Sequence, residues 1–403
     1  MLLGNASYPE DDRVRNEATS LVRAGYAVAV IAPGRRGQRS REIVAGVEVF
    51  RYPDLVRGSG LWTYTFEYVY ATVASLVLGI AASMLERTSV VHAHNPPDTY
   101  FLVASFFKLF GGKFVYDHHD LAPELYRARF PGKGSRPSVY RALTVLEGLS
   151  CRLADRVITT NESYRQVEIE RAGVPAEKVT VVRNGPGPDK LRVADVDPEL
   201  RSRAGTMLAF VGDMGYHDGV DYLLRVLQHM VYDLGENDVY CVLVGKGDAR
   251  EDMRSLASSL GLEGHTSFPG YLPDDAVRRI LCTADICIDP DPSNEFTDRS
   301  TMLKMMDYMA LGRPIVAFDL PEHRATAGDA ALFVRPNDEL EMARAIIGLM
   351  ADPARRSAMG EIGRRRVEEK LAWHHSVEHL LGAYRALFAH DSSRSRASGS
   401  APA

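Results

Sequence analysis

The 403-residue sequence predicts an α/β chain of two Rossmann-like domains in tandem, facing each other across a cleft. Three observations carry that reading. The chain is too long for one ordinary core, since single domains run to about 100–200 residues. Short β-rich runs alternate with amphipathic segments, the pattern of parallel sheets covered by helices on both faces. A stretch rich in breakers and without apolar periodicity, Gly185–Gly205, splits the alternation into two series.

In the first series "YAVAVIAP", "VVHAHN", "KFVYDHH", "RVITTN" and "VTVVRNG" are strand candidates, with helical patterns such as Arg15–Ala24 and Tyr140–Ala154 between them. "MLAFVGDMG", "VYCVLVGKGD", "HTSFPGYLP", "ADICIDPDP", "PIVAFD" and "AALFVRP" form the second series. The domains are accordingly placed at 1–187 and 204–372, with a helix over 373–390 packing back on the first domain. The low-complexity tail 391–403 is expected to lack structure. In sheets of this kind ligands sit beyond the carboxyl ends of the strands.

A formal net charge of -5 excludes the basic footprint of a non-specific nucleic-acid binder. The four cysteines, Cys151, Cys241, Cys282 and Cys287, show neither CxxC pairs nor metal-ligand spacing; they read as buried thiols of a cytoplasmic protein. No secretory signal is visible. "EYVYATVASLVLGIAASML", Glu67–Leu85, is barely long enough to span a bilayer. It reads as a buried helix, while its aromatic lead-in (Trp62, Tyr64, Phe66, Tyr68) leaves a peripheral contact at the inner face of a membrane open.

Several stretches carry chemistry. In "FVGDMGYHDG", Gly212 and Gly215 follow a strand and precede a helix, where glycine lets backbone N–H groups approach a ligand. "LVGKGD" repeats the device with Gly245 and Gly247. In "DRSTMLKMMDYMALGRPIVAFD" either Ser300 or Thr301 can cap a helix, which then carries Ser300, Lys304 and Asp307 on one face. Free N–H groups, hydroxyls, Arg299 and Lys304 there suit a diphosphate, and Asp307 a ribose. The plainer reading is a capped helix with solvated charges. In the first half "HAHNPPD" and "YDHHDLAPELY" end strands with His94, Asp98, His118, His119, Asp120 and Glu124. That cluster suits sugar binding and acid–base work; no spacing on one element supports a metal. Arg13, in "PEDDRVRNEA", points either into the cleft or to solvent.

These stretches, with "RLADRVITTNESY", "GVDYLL" and "GDAALFVRPND", closely resemble the retaining GT-B glycosyltransferases of family 4, over about Gly4 to Phe388. The resemblance implies a nucleotide-sugar donor held by the second domain and a saccharide or lipid-linked acceptor held by the first. Transfer with retention, no metal and no cofactor are also implied. His119 falls on the family's donor-sugar histidine, with Asp120 beside it, and Asp307 on its ribose carboxylate. Ser300 and Thr301, with Lys304 close by, fall on its diphosphate cradle. Arg13, His94, Asp98, His118 and Glu124 are then acceptor-side candidates. Two features depart from the family pattern. Arg299 stands where a glutamate is common, and Asp213 and Asp218 stand where an Arg and a Lys often face the diphosphate. Arg299 and Lys304 are the expected replacements.

A GT-B-fold nucleotide-sugar epimerase and a catalytically impaired sugar-nucleotide-binding protein are the alternatives. A dinucleotide-dependent dehydrogenase needs GxGxxG after the first strand, which "LLGNASYPEDD" does not supply.

Overall fold

A computed structural model describes residues 1–55, 61–85, 88–130 and 134–398. The chain divides into two units. One comprises the described residues of Met1–Tyr126, Gly132–Asn184 and His374–Ala403; the other those of Arg127–Pro131 and Gly185–Trp373.

The first unit holds β1 (Ala29–Gly34), β2 (Arg41–Val44), β3 (Val47–Pro53), β4 (Val90–His94), β5 (Lys113–His118), β6 (Arg156–Thr159) and β7 (Val179–Val181). They form a three-stranded sheet, β1-β3-β2, and a four-stranded sheet, β4-β5-β6-β7. Leu2 bridges both, pairing with Ile31 on one side and Ala93 on the other. All pairs are parallel except β2–β3. That hairpin was not foreseen from the sequence. It turns on Ala45 and Gly46, both at positive φ, as a two-residue hairpin turn requires. Alanine is a weak signal for such a turn. The first helix, Asp12–Arg23, starts where Asp11 accepts a hydrogen bond from the Val14 N–H.

The last helix, Trp373–Ser398, returns to this unit. Tyr384 places its hydroxyl 2.9 Å from His92 Nδ1, and Ser376 donates to the Arg183 carbonyl at 2.8 Å. The helix continues through Ser398, into the segment expected to lack structure, since Ser, Arg and Ala there oppose a helix only weakly.

The second unit is one six-stranded parallel sheet, β10-β9-β8-β11-β12-β13. Its strands are β8 (Thr206–Val211), β9 (Val239–Val244), β10 (Thr266–Gly270), β11 (Ile286–Asp289), β12 (Ile315–Phe318) and β13 (Ala331–Val334). Side chains alternate between two cores: Leu208 and Phe210 join Cys241 and Leu243 on one face. Met207 and Ala209 join Tyr240 and Val242 on the other. Burial on both faces explains why these strands read as continuous apolar runs. All four cysteines are buried and free.

The helix Leu61–Leu85 differs from expectation. Only 22% of its most apolar window, within Thr65–Leu85, is buried. A helix apolar all round usually lies inside a core, but this one lies on the flank of the first unit.

Gly219 caps the helix Val220–Gln228 in the left-handed region (φ 69). A Cβ there would stand 2.1 Å from the Pro290 carbonyl oxygen. Gly219→Ala should therefore cost about 2–3 kcal/mol, read as a lower thermal midpoint. An unchanged midpoint would contradict this packing.

Candidate functional site

In the first unit the site grows from the ends of β4 and β5, where His94 stands opposite Asp117. Asp117 is fully buried, and Arg13 Nε meets its two oxygens at 3.0 and 2.9 Å. Arg13 Nη1 also donates to the Val182 carbonyl and to Asn184 Oδ1, and Nη2 lies 3.3 Å from Glu17. Burial alone would raise the Asp117 pKa; the Arg13 charge, with His94, holds it well below the usual carboxylate range. Glu17 is pushed up instead, by burial and by the Asp117 charge. His94 is lowered to about 3 by burial and by neighbouring His92, whose ring stacks on it at 4.4 Å.

This core positions His119. Asn95 Oδ1 accepts from the backbone N–H groups of His119 (2.8 Å) and Asp120 (3.2 Å). The Asn95 amide donates to the Asp120 carbonyl at 2.6 Å. His119 Nδ1 lies 3.3 Å from Asp117 Oδ1, with the side chain 11% exposed. Burial opposes protonation of His119, but the Asp117 hydrogen bond and charge outweigh it and raise its pKa. Burial raises Asp120 as well.

Behind it lies a second network. His118 sits 3.0 Å from Glu168 and 3.4 Å from Glu147. Arg171 meets Glu147 at 2.7 Å and pairs with Glu124. Asp98 accepts from the Tyr116 hydroxyl, and burial pushes its pKa up to about 6. Arg13, His94, Asp98, His118 and Glu124, expected to face an acceptor, are thus all buried and paired within the unit. Burying these charges is tolerable only with such partners, so they shape the site from beneath. Asn95, Asp117, Glu17, Glu147, Glu168 and Arg171 complete the networks; of these, Asn95 and Asp117 lie in the strand ends "HAHNPPD" and "YDHHDLAPELY", whose histidines are the stronger signal.

In the second unit the two glycine loops interlock. Met214 N–H donates to the Lys246 carbonyl at 2.7 Å, and a Cβ on Gly245 would meet the Gly212 carbonyl oxygen at 1.8 Å. A Cβ on Gly247 would meet the Met214 backbone at 2.5 Å. Gly215 instead donates its N–H to Asp218 Oδ2 at 2.7 Å. The loops border a pocket of about 350 Å³, with Asp213, Lys246, Lys190 and Asp307 on its wall and Leu272, Val277 and Leu311 as apolar lining. Lys190 reaches Asp307 at 3.2 Å.

The adjoining helix starts later than the sequence suggests. It spans Leu303–Ala310 with Met302 at its N-cap, because the Ser300 hydroxyl is taken by the Phe296 carbonyl (2.8 Å). Thr301 lies 3.4 Å from Glu322, and Arg299 is exposed. Lys304 and Asp307 remain together on this helix. The Lys304 ammonium stands 2.7 Å from Asp291 and 3.4 Å from Asp289, two acids that the sequence reading passed over. Burial disfavours its charge, yet these carboxylates hold its pKa above the usual range. Burial and the Asp289 charge push Asp291 up to about 7. Asp213 and Asp218 are also raised by burial, with Lys304 opposing.

Among the described residues two clusters have metal-ligand chemistry: Glu17, His92, His94 and Asp117, and Asp289, Asp291 and His323. In each a protein cation already meets the carboxylates, Arg13 in the first and Lys304 in the second.

One unit thus carries a parallel sheet with glycine loops and a cationic helix start at its strand ends, and the other a pinned histidine. Residues 11–185 match the glycosyl transferase 4-like domain and 205–352 the glycosyl transferases group 1 domain. The chain belongs to the GT4-type glycosyltransferases of GT-B fold. An uncharacterized glycosyltransferase of Methanocaldococcus jannaschii is 24% identical over 382 residues, 91% of this chain and 92% of the relative. Sucrose-phosphate synthase of Thermosynechococcus elongatus shares the fold at a TM-score of 0.76 and 18% identity, over 94% of this chain and 93% of its own. Anabaena HepE, solved with UDP-glucose, superposes at 0.67 with 14% identity, over 96% and 98%.

The buried His118 tests the inner network. Burial opposes its protonation, but Glu147 and Glu168 raise its pKa well above the ordinary value. Its stabilisation is therefore full below the unfolded pKa of about 6.5 and lost as pH rises through the folded value. His118→Gln should cost about 3–5 kcal/mol by leaving two buried carboxylates short of a cation. It should also flatten the alkaline fall of stability expected for the wild type in urea titrations. The same alkaline slope in both proteins would rule out a protonated His118.

Proposed function

We propose that this glycosyltransferase moves a sugar from a UDP- or GDP-sugar to a saccharide or lipid-linked saccharide, with retention and without a metal ion. The product would belong to cell-surface polysaccharide or glycoconjugate synthesis at the cytoplasmic face of a membrane. The observation that carries this reading is the pocket of about 350 Å³ beside Gly212, Gly245 and Asp307, next to a lysine in the first turn of a helix. Its apolar lining suits a nucleoside base, Asp307 suits ribose hydroxyls, and Lys304 lies where negative charge would grow on a departing diphosphate. The complex of HepE with UDP-glucose is consistent with such a donor.

On this reading Lys304 and the helix N–H groups favour departure of the nucleoside diphosphate. His119, pinned by Asn95 and Asp117, orients the donor sugar, and the leaving phosphate takes the proton of the acceptor hydroxyl. Arg299 supplies charge that Asp213 and Asp218 do not. Electrostatic stabilisation of this kind is worth about 100-fold or more in rate per donor.

Nucleotide release from UDP- and GDP-sugars, with and without acceptors, tests the reading: a transferase depends on the acceptor, whereas an epimerase passes no sugar to one. Arg299→Ala with Lys304→Ala should abolish donor-induced thermal stabilisation; wild-type donor affinity in that variant would sink the assignment. Because Lys304 also neutralises Asp291, Lys304→Met with Asp291→Asn serves as the folded control. It should melt near the wild type and still lose about 100-fold in transfer.

His119→Ala should lower kcat/KM by about 100-fold while nucleoside diphosphate alone binds as before. A matching loss of nucleotide affinity would place the histidine elsewhere in the reaction.

A further inference from the structure

The helix Leu61–Leu85 packs Tyr70, Leu76 and Leu78 partly against the core of the first unit, yet it turns a second apolar set away from it. Facing the protein are Ala71, Thr72, Ser75 and Gly79, small or polar and buried. Thr72 bonds Thr99 at 2.6 Å and Ser75 lies 3.3 Å from the Tyr100 hydroxyl, while a Cβ on Gly79 would stand 3.2 Å from the Phe107 ring. Facing outward are Phe66, Val69, Val73, Val77, Ile80 and Met84, at helical spacing, with Val77 60% and Met84 82% exposed. A helix that served only its own core would not turn this second set outward.

The outer face is wider than one stripe. The adjoining helix Phe101–Lys108 adds Leu102, and the turn after it adds Leu109 (81% exposed) and Phe110. Exposed apolar side chains gathered on two packed helices mark an interaction site. From Phe66 to Met84 the stripe runs about 27 Å at 1.5 Å per residue, and Glu67 is the single charge between Thr65 and Leu85.

The flank of this face carries arginines, of which Arg35 pairs with Glu10 and Arg41 with Glu48. The loop between β1 and β2 exposes Arg35, Arg36 and Arg39. Arg35 lines the same small hollow as Glu67 and Tyr70 at the start of the helix. At its other end Ala82 and Leu85 share a cavity wall with Arg41 and Ile43 of β2. A broad apolar face with arginines beside it complements an anionic lipid surface.

We infer that the first unit docks on the surface of an anionic bilayer through this face, the helix lying in the interfacial plane. The hydrogen bonds of Thr72 and Ser75 to the domain exclude a spanning arrangement, because a span would have to shed them. Docking rests on the outward stripe and not on donor chemistry; it deepens the proposed function by putting acceptors within a lipid–water interface.

Sedimentation of the full chain with vesicles tests it, using phosphatidylcholine alone and phosphatidylcholine with phosphatidylglycerol in equal parts. The wild type should partition onto the anionic vesicles, less so at high salt. Val73→Glu with Val77→Glu, both exposed, should keep the thermal midpoint and lose partitioning by at least about tenfold. Arg36→Ala with Arg39→Ala should weaken only the anionic binding, about fivefold per arginine. A wild type that stays in the supernatant, or a double-glutamate variant that binds equally well, overturns the inference. So does a concentration-dependent dimer in buffer that the same variant dissolves, since a second copy would then cover the face. Donor binding measured in parallel separates the two readings: vesicle binding without nucleotide-sugar binding defeats only the proposed function.

Discussion

Asp117 is a buried carboxylate at the end of β5, and an ionised group there is tolerable only because Arg13 meets both its oxygens. Removing one partner of such a pair typically costs about 3–5 kcal/mol. The guanidinium also ties the first helix to the chain around Val182 and Asn184. One ion pair therefore fixes three segments far apart in sequence. His119 inherits its position from this pair, since its ring leans on Asp117 and its backbone on Asn95. Burial holds His92 and His94 toward the neutral form beside the pair, and burial together with the Asp117 charge does the same for Glu17.

The second unit meets the same constraint with a lysine. Lys304 lies between Asp289 and Asp291, and its ammonium is a compact charge that can serve both. Lysine and arginine differ here in consequence. The fork of Arg13 is committed to a fixed set of acceptors, whereas a lysine can turn toward a new anion with little change in its stem.

The fold was legible in the sequence because strands buried on both faces write themselves as apolar runs, and turns of glycine and proline punctuate them. The Arg41–Pro53 hairpin was not, because an Ala-Gly turn is a weak signal. The glycine loops and the Lys304–Asp307 helix were legible from their place at strand ends. The pairings were not: Arg13 and Asp117 are 104 residues apart, and nothing local in "HAHNPPD" or "YDHHD" says whether a charge faces a cleft or a buried partner. The start of the helix at Leu303 was missed for a similar reason, as Ser300 has a nearer acceptor in the Phe296 carbonyl. The helix Leu61–Leu85 was misread because composition reports how apolar a segment is, not which way its large side chains point.

The departures around Lys304 follow from the same electrostatics. Asp213, Asp218, Asp289 and Asp291 crowd one lysine, so part of its charge is already spent before any diphosphate arrives. An incoming anion would compete with these carboxylates, and the least costly way to accommodate it is to leave one of them protonated. Asp291 is the group nearest to that state, with a pKa of about 7 set by burial and by Asp289. Once neutral, it stops competing and the ammonium can turn to the ligand. A site poor in cations can in this way hold a diphosphate by shedding negative charge, with the exposed Arg299 adding to the attraction. On the reading proposed above, the aspartates that replace the usual cations are then compatible with transfer, provided that a proton accompanies the donor.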